Sequence, residues 1–126
     1  MRASRDELPI LFGAEPTAVR GADWGSMRAA IVSLPAGADL DPLFKGLPND
    51  RCPCPHWGYV LRGRMRVTYA DREEVVRAGD VVYMPPGHSG VVEEDFEWVE
   101  FSPPAEHDAV LEVVTRNAAA AAAPAT

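Results

Sequence analysis

The sequence has no long hydrophobic segment. No run of apolar residues approaches the roughly twenty that a helix needs to cross a bilayer, so a membrane-spanning protein is not expected. Residues 1–13 interrupt their apolar positions with Arg2, Arg5, Asp6 and Glu7, and therefore lack the continuous apolar core of a secretory signal. We expect a cytoplasmic protein.

Positive charge is also scarce. Twelve Lys and Arg residues stand against nineteen Asp and Glu residues, which gives a formal net charge of -7. A chain with this balance repels phosphate backbones and anionic membrane surfaces. We therefore expect neither nucleic acid nor a membrane as a partner.

Cysteine is limited to two residues, Cys52 and Cys54. In an extended chain their Cα atoms lie near the upper limit for a disulfide, so a bond between them would be strained. Two free thiols are typical of a protein in a reducing compartment.

What the sequence does contain is a series of short apolar segments. Its 126 residues suffice for one domain, and twelve prolines and ten glycines divide it into strand-like pieces separated by turns. We predict strands at residues 27–34, 56–62, 64–69, 73–77, 81–84 and 96–101, with a hairpin about Gly63. So many short antiparallel strands must close into a barrel or sandwich.

The two ends differ from this central region. We expect residues 1–26 to form an N-terminal arm with a possible edge strand, and residues 27–104 to form the barrel. Valines at helical spacing predict a C-terminal helix over residues 105–117. The alanine-rich residues 118–126 are expected to be frayed or disordered.

Two motifs carry a resemblance to a known family. GDVVYMPPG, residues 79–87, followed by His88, resembles the second motif of the cupin superfamily. GLPNDRCPCPHWGYVLRG, residues 46–63, is similar to its first motif, in which glycines flank a His-x-His pair and a glutamate. The resemblance implies an all-β fold, the double-stranded β-helix or jelly-roll barrel, in which residues of both motifs face one pocket.

The resemblance also implies a divalent metal in that pocket, although this chain replaces the usual ligands. Cys52, Cys54, His56 and His88 fall on or near the ligand positions, and we take these four as the candidate site. Thiolate and imidazole donors favour Zn²⁺, with Fe²⁺ or Cu as alternatives, over Mg²⁺ or Ca²⁺.

The number of thiols that bind decides the kind of site. Four ligands would make it closed and structural, whereas three would leave a position for water or substrate. Pro53 and Pro55 favour polyproline geometry, in which alternate residues do not share a face. One of the two cysteines is therefore expected to point away.

Other polar and aromatic residues are assigned less specific roles. We expect His107 to be solvated, Arg62, Arg64 and Arg66 to pair with acidic side chains on exposed strands, and the acidic run at residues 93–100 to form a solvated rim. Within that run Glu94 is a weak candidate for a functional group. A further set is assigned to the core or pocket wall: Trp57, Tyr59, Met65, Val67, Tyr83 and Trp98.

Three functions remain open at this stage. The first is a pocket that binds a metal ion and a small molecule. If this pocket is catalytic, the resemblance implies a dioxygenase, isomerase or lyase that acts on a small polar metabolite. The second is a metal-free binding or sensing module. The third is a structural or regulatory homodimer, which pairs through outer strands and the segment from Leu8 to Phe12. We expect a homodimer under the first reading as well.

Overall fold

The computed structural model describes residues 1–122. Within that range seven antiparallel strands are followed by a single α-helix, which confirms the predicted all-β jelly roll with a C-terminal helix. The elements are β1 (Ile10–Ala14), β2 (Thr17–Trp24), β3 (Met27–Leu34), β4 (His56–Thr68), β5 (Glu73–Arg77), β6 (Val81–Met84), β7 (Ser89–Ser102) and α1 (Pro104–Ala122).

The two long strands β4 and β7 hold the barrel together. They pair along most of their lengths, β3 extends the sheet beyond β7, and β5 and β6 pair with opposite ends of β4. Apolar side chains alternate inward along these strands and meet in one core. Its most deeply buried members are Val60, Val67, Val92 and Phe96.

Gly63 does not form the predicted hairpin. Strand β4 passes through it without reversing, and its register with β7 shifts between Arg62 and Arg64. Gly63 has a φ of 84°, and a Cβ at this position would lie 2.0 Å from the carbonyl oxygen of Asp95. The glycine therefore permits a bulge and a close strand approach, which in sequence resembles a turn.

The N-terminal region contributes more than an arm. Strand β2 pairs with β3 from Ala18 to Trp24, and β1 pairs with β2, so residues 10–24 extend the same sheet. No break in the structure corresponds to the expected boundary at residue 27.

Helix α1 covers one end of the barrel. Val110 and Val114 pack against Phe44, Cys52 and Cys54 in a second apolar cluster. The helix continues past its predicted end at residue 117 to Ala122, because alanine is the strongest helix former. The rest of the predicted tail, residues 123–126, lies outside the described part of the chain. Among the described residues, no helix combines the length and apolarity needed to traverse a bilayer.

Three aromatic residues assigned to the core lie outside it. Trp57, Tyr59 and Tyr83 are each about half exposed, whereas Met65, Val67 and Trp98 are buried as predicted. Strand alternation explains the error: His56 and Val60 point inward, so residues 57 and 59 must point outward.

Candidate metal centre

Cys52, His56 and His88 bring their ligand atoms together inside the barrel. All three residues are buried, and one donor atom from each lies within 4.8 Å of the other two. Cys52 belongs to the loop before β4, His56 begins β4, and His88 follows the turn that ends β6. Residues from both sequence motifs therefore reach one point.

Backbone hydrogen bonds fix the two loops against each other. The amide of Cys52 donates to the carbonyl of His88, and the amide of Gly87 donates to the carbonyl of Cys52, each at 2.8 Å. Gly87 makes this approach with a φ of 96°, a conformation that favours glycine. The adjacent ladder pairs His56 with Met84.

His88 is oriented by a main-chain acceptor. Its Nδ1 lies 2.8 Å from the carbonyl oxygen of Pro85. A carbonyl can only accept, so Nδ1 carries the proton and donates it. When this ring is neutral, Nε2 is its unprotonated nitrogen and can accept a metal ion.

His56 is held by two buried groups on β7. Its Nδ1 lies 2.6 Å from a carboxylate oxygen of Glu100 and 2.6 Å from the hydroxyl oxygen of Ser102. The Ser102 hydroxyl donates to Glu100 at 3.0 Å. On the other side of the ring, Nε2 lies 3.8 Å from the sulfur of Cys52.

The charges of this group stabilise one another. Burial opposes ionisation of the Cys52 thiol, but hydrogen bonds from His56 and His88 lower its pKa to about 6. Burial opposes protonation of His56, but the charge of Glu100 and the contact with Cys52 raise its pKa well above the ordinary value. Burial likewise opposes ionisation of Glu100, and the charge and hydrogen bond of His56 lower its pKa to about 2.

A second buried network connects this site to helix α1. Arg28 donates to Asp108 at 2.7 Å and to Nδ1 of His107 at 3.1 Å, and it also pairs with Asp23 at 2.7 Å. His107 is 4% exposed, so the expectation that it is solvated is wrong. Burial lowers its pKa, although Glu100 acts in the opposite direction.

Cys54 does not join the three-residue group. It is fully buried, but its thiol donates to the carbonyl oxygen of Pro55 at 3.5 Å, and it is not among the residues whose donor atoms converge. The structure thus brings together three of the four candidate ligands.

The acidic run divides in two. Glu93 and Glu94 pair with Arg64 at 2.9 Å, and Arg66 contacts both Glu93 and Glu73. The expected ion pairs are therefore present for Arg64 and Arg66. Glu94 is therefore away from the site. The solvated-rim expectation is wrong for Glu97 and Glu100, which are 6% and 5% exposed.

Glu100 is the main functional residue that the sequence did not reveal. It is placed on the inner row of β7 opposite Gly58, where a Cβ would lie 2.6 Å from the Trp98 ring. Gly58 thus leaves room for the side chains of β7. Strand alternation could have predicted its position, because residues 96, 98 and 100 of β7 lie on the same face and Phe96 and Trp98 are apolar.

The family comparison agrees with this arrangement. The family model for the cupin domain matches residues 51–96, a range that contains Cys52, His56 and His88. The central part of the chain thus matches the cupin domain, and solved cupin structures share the fold. A comparison of this chain with curated proteins finds no significant match.

Solved structures show the same fold at low identity. The chain resembles an RmlC-like cupin from Shewanella frigidimarina at 16% identity, over 80% of this chain and 88% of that one, with a TM-score of 0.57. KdgF from Halomonas sp. is 21% identical over 79% and 90% of the two chains, with a TM-score of 0.58. Apo-HppE is 15% identical over 81% of this chain, with a TM-score of 0.58, but only 57% of its own length is covered.

Proposed function

We propose that this chain binds one divalent transition-metal ion through Cys52, His56 and His88, and that a small molecule binds beside the ion. The convergence of three buried donor atoms within 4.8 Å is the observation that carries this proposal. A solved structure of FeII HppE, 14% identical with a TM-score of 0.57, supports Fe²⁺ as one occupant.

The donor set fits such an ion. One thiolate and two imidazoles suit Zn²⁺ best, and Fe²⁺ or Cu as alternatives, whereas Mg²⁺ and Ca²⁺ require oxygen ligands. Three protein ligands leave a coordination position open, which is the arrangement of catalytic rather than structural sites. A bound ion would supply Lewis acidity, or redox chemistry in the case of Fe or Cu.

The chain's own residues hold the ligands in place. Glu100 and Ser102 fix the ring of His56 through Nδ1, and the Pro85 carbonyl does the same for His88. Such outer contacts orient metal-binding histidines and raise their basicity. An enzyme of the dioxygenase, isomerase or lyase kind and a non-catalytic binding protein would both use this open site.

Titration with Co²⁺ tests the proposal. Metal-free protein should bind one equivalent, with visible bands of a four-coordinate ion and a near-ultraviolet thiolate-to-cobalt band. Cys52→Ser should abolish the thiolate band, whereas Cys54→Ser, a matched control two residues away, should retain it. His88→Ala should weaken binding without removing that band.

Two results would overturn this assignment. Wild-type protein that gives no Co²⁺ spectrum and takes up no Zn²⁺ would favour the metal-free binding module. A thiolate band that is lost in Cys54→Ser but retained in Cys52→Ser would replace the proposed sulfur ligand. Circular dichroism of each variant checks that the barrel is folded.

A further inference from the structure

A partly open, mainly apolar cavity adjoins the three candidate ligands. Its volume is about 100 Å³, and it extends from Cys52, His56 and His88 toward helix α1. A few polar side chains, such as Ser89 and His107, also line it, but most of the other walls are aliphatic and aromatic. They include Val32, Leu34, Leu43, Phe96, Val110 and Leu111.

No Lys or Arg side chain among residues 1–122 lines this cavity, and the positive charge that His56 carries when protonated is already paired with Glu100. The nearby cation Arg28 is already paired with Asp23 and Asp108, and the carboxylate of Glu100 is engaged by His56 and Ser102. A carboxylate or phosphate placed against these walls would lose its water without gaining an opposite charge. A polyhydroxyl compound would leave most of its hydroxyls without partners.

We infer that the cavity accepts a small, uncharged and largely apolar molecule, with its single polar atom directed at Cys52, His56 and His88. An apolar cavity of about 150 Å³ holds benzene, so this one suits a ligand of about four to six non-hydrogen atoms. The inference rests on the proposed function for the role of that polar atom. The expected ligand is thus an uncharged, largely apolar compound rather than any small polar metabolite.

Two probes of similar length and different charge test the inference. Butane-1-thiol has an apolar tail, whereas 3-mercaptopropionate carries the same thiol and a terminal carboxylate. We expect butane-1-thiol to bind at least ten-fold more tightly to Co²⁺-loaded protein, and to be the stronger stabiliser of EDTA-treated protein in thermal unfolding.

Equal or tighter binding of 3-mercaptopropionate in both forms would overturn the inference, while Co²⁺ binding itself would stand. A lack of any Co²⁺ spectrum would overturn the proposed function, and the EDTA-treated arm would still decide the ligand class.

A substitution in the cavity wall sharpens this test. Leu111 lines the cavity and is half-buried on helix α1, so Leu111→Arg should supply the missing cation and reverse the preference toward 3-mercaptopropionate. Glu112→Arg, at the exposed neighbouring position, is the matched control and should leave the preference unchanged. If the preference for butane-1-thiol were reversed in both variants, or in neither, the inferred position of Leu111 in the ligand-binding wall would be contradicted.

A separate observation concerns the outer face of the sheet. Register places Trp57 beside Phe101 and Tyr83, and Tyr59 beside Val99 and Val81. The Trp57 and Tyr83 rings are stacked at 5.2 Å. We call this surface the outer apolar face, and its large exposed members are Trp57, Tyr59, Leu61, Val81, Tyr83 and Phe101.

The size and charge of the outer apolar face suit a protein interface. Val81 is 86% exposed and the other five are close to half exposed, so together they leave about 600 Å² of surface. A stable interface buries about 800 Å² on each partner, and this face supplies most of that area. The neighbouring rows on β3 and β7 add Ala29, Ile31 and Val99, and they end at Glu97, which is buried and paired with Arg5.

We propose that a second copy of this chain covers the outer apolar face in a two-fold symmetric homodimer. The six exposed members of this face are uncharged, so they can pack against their own copy without like-charge repulsion, and two-fold pairing uses the same patch on both subunits. The segment from Leu8 to Phe12 is not required, because Leu8 is buried and Phe12 packs against the cluster under α1.

Light scattering coupled to gel filtration tests the surface. Wild-type protein should elute as a dimer, and Val81→Arg and Tyr59→Glu should each give a folded monomer. Ile10→Glu replaces an apolar residue of β1 that is 49% exposed and should remain dimeric. A monomeric wild type at 100 µM, or a dimer that survives both substitutions, would overturn the proposal.

Discussion

At the scale of single residues, the site depends on groups that do not touch the proposed ion. His56 is fixed at Nδ1 by Glu100 and Ser102, and that contact decides where Nε2 points. Glu100 is therefore a positioning residue. Its carboxylate is buried and stays ionised because His56 lies beside it.

Replacement of this carboxylate gives a direct prediction. Glu100→Gln keeps the size of the side chain but removes its charge, so we expect Co²⁺ or Zn²⁺ affinity to fall by about 10- to 100-fold while the stoichiometry stays at one. Competition with a chromophoric chelator measures the change. Glu94→Gln, on the exposed part of the same strand, is the control, and equal affinities of the two variants would contradict the role of Glu100.

At the scale of secondary-structure elements, helix α1 is held over the cavity by polar as well as apolar contacts. The side-chain amide of Asn117 donates to the carbonyl oxygens of Leu43 and Lys45 at 2.7 and 2.8 Å. Near the start of the helix, Asp108 pairs with Arg28 of β3. These contacts attach the covering helix to the barrel at two points, near its start and in its second half.

The Asn117 contacts should contribute to stability. Asn117→Ala removes two hydrogen bonds to carbonyls, so we expect the free energy of unfolding to fall by about 1–2 kcal/mol. Urea denaturation measures this loss, and faster amide exchange in helix α1 should accompany it. Arg116→Ala, at the exposed adjacent position, should change the free energy of unfolding by much less; a similar loss in both variants would refute the specific contact.

At the scale of the whole molecule, metal binding should stabilise the fold. Cys52 and His88 belong to separate loops, and an ion bound to both adds a link that the unfolded chain lacks. At a free Zn²⁺ concentration 100 times the dissociation constant, the expected gain is about 2.7 kcal/mol, or about 10 °C in the unfolding midpoint for a domain of this size. Calorimetry with Zn²⁺ and with EDTA measures the difference, and identical midpoints would contradict binding to the native state.

The sequence predicts the fold better than it predicts the site. Glycine and proline spacing and the two motifs suffice for the jelly roll, and they place Cys52, His56 and His88 in one pocket because each lies within a short motif. Glu100 and His107 come from distant elements, so local spacing carries no information about their contacts. The hairpin predicted at Gly63 is wrong because a glycine with positive φ occurs in β-bulges as well as in turns.

The paired main-chain hydrogen bonds between Cys52 and the Gly87–His88 turn have a kinetic consequence. These hydrogen bonds hold the ligand atoms of Cys52 and His88 in place before the ion arrives. Metal binding then requires no rearrangement of either loop. Loading should then be a single rapid phase whose rate rises in proportion to ion concentration, without a plateau set by a slow rearrangement of the protein.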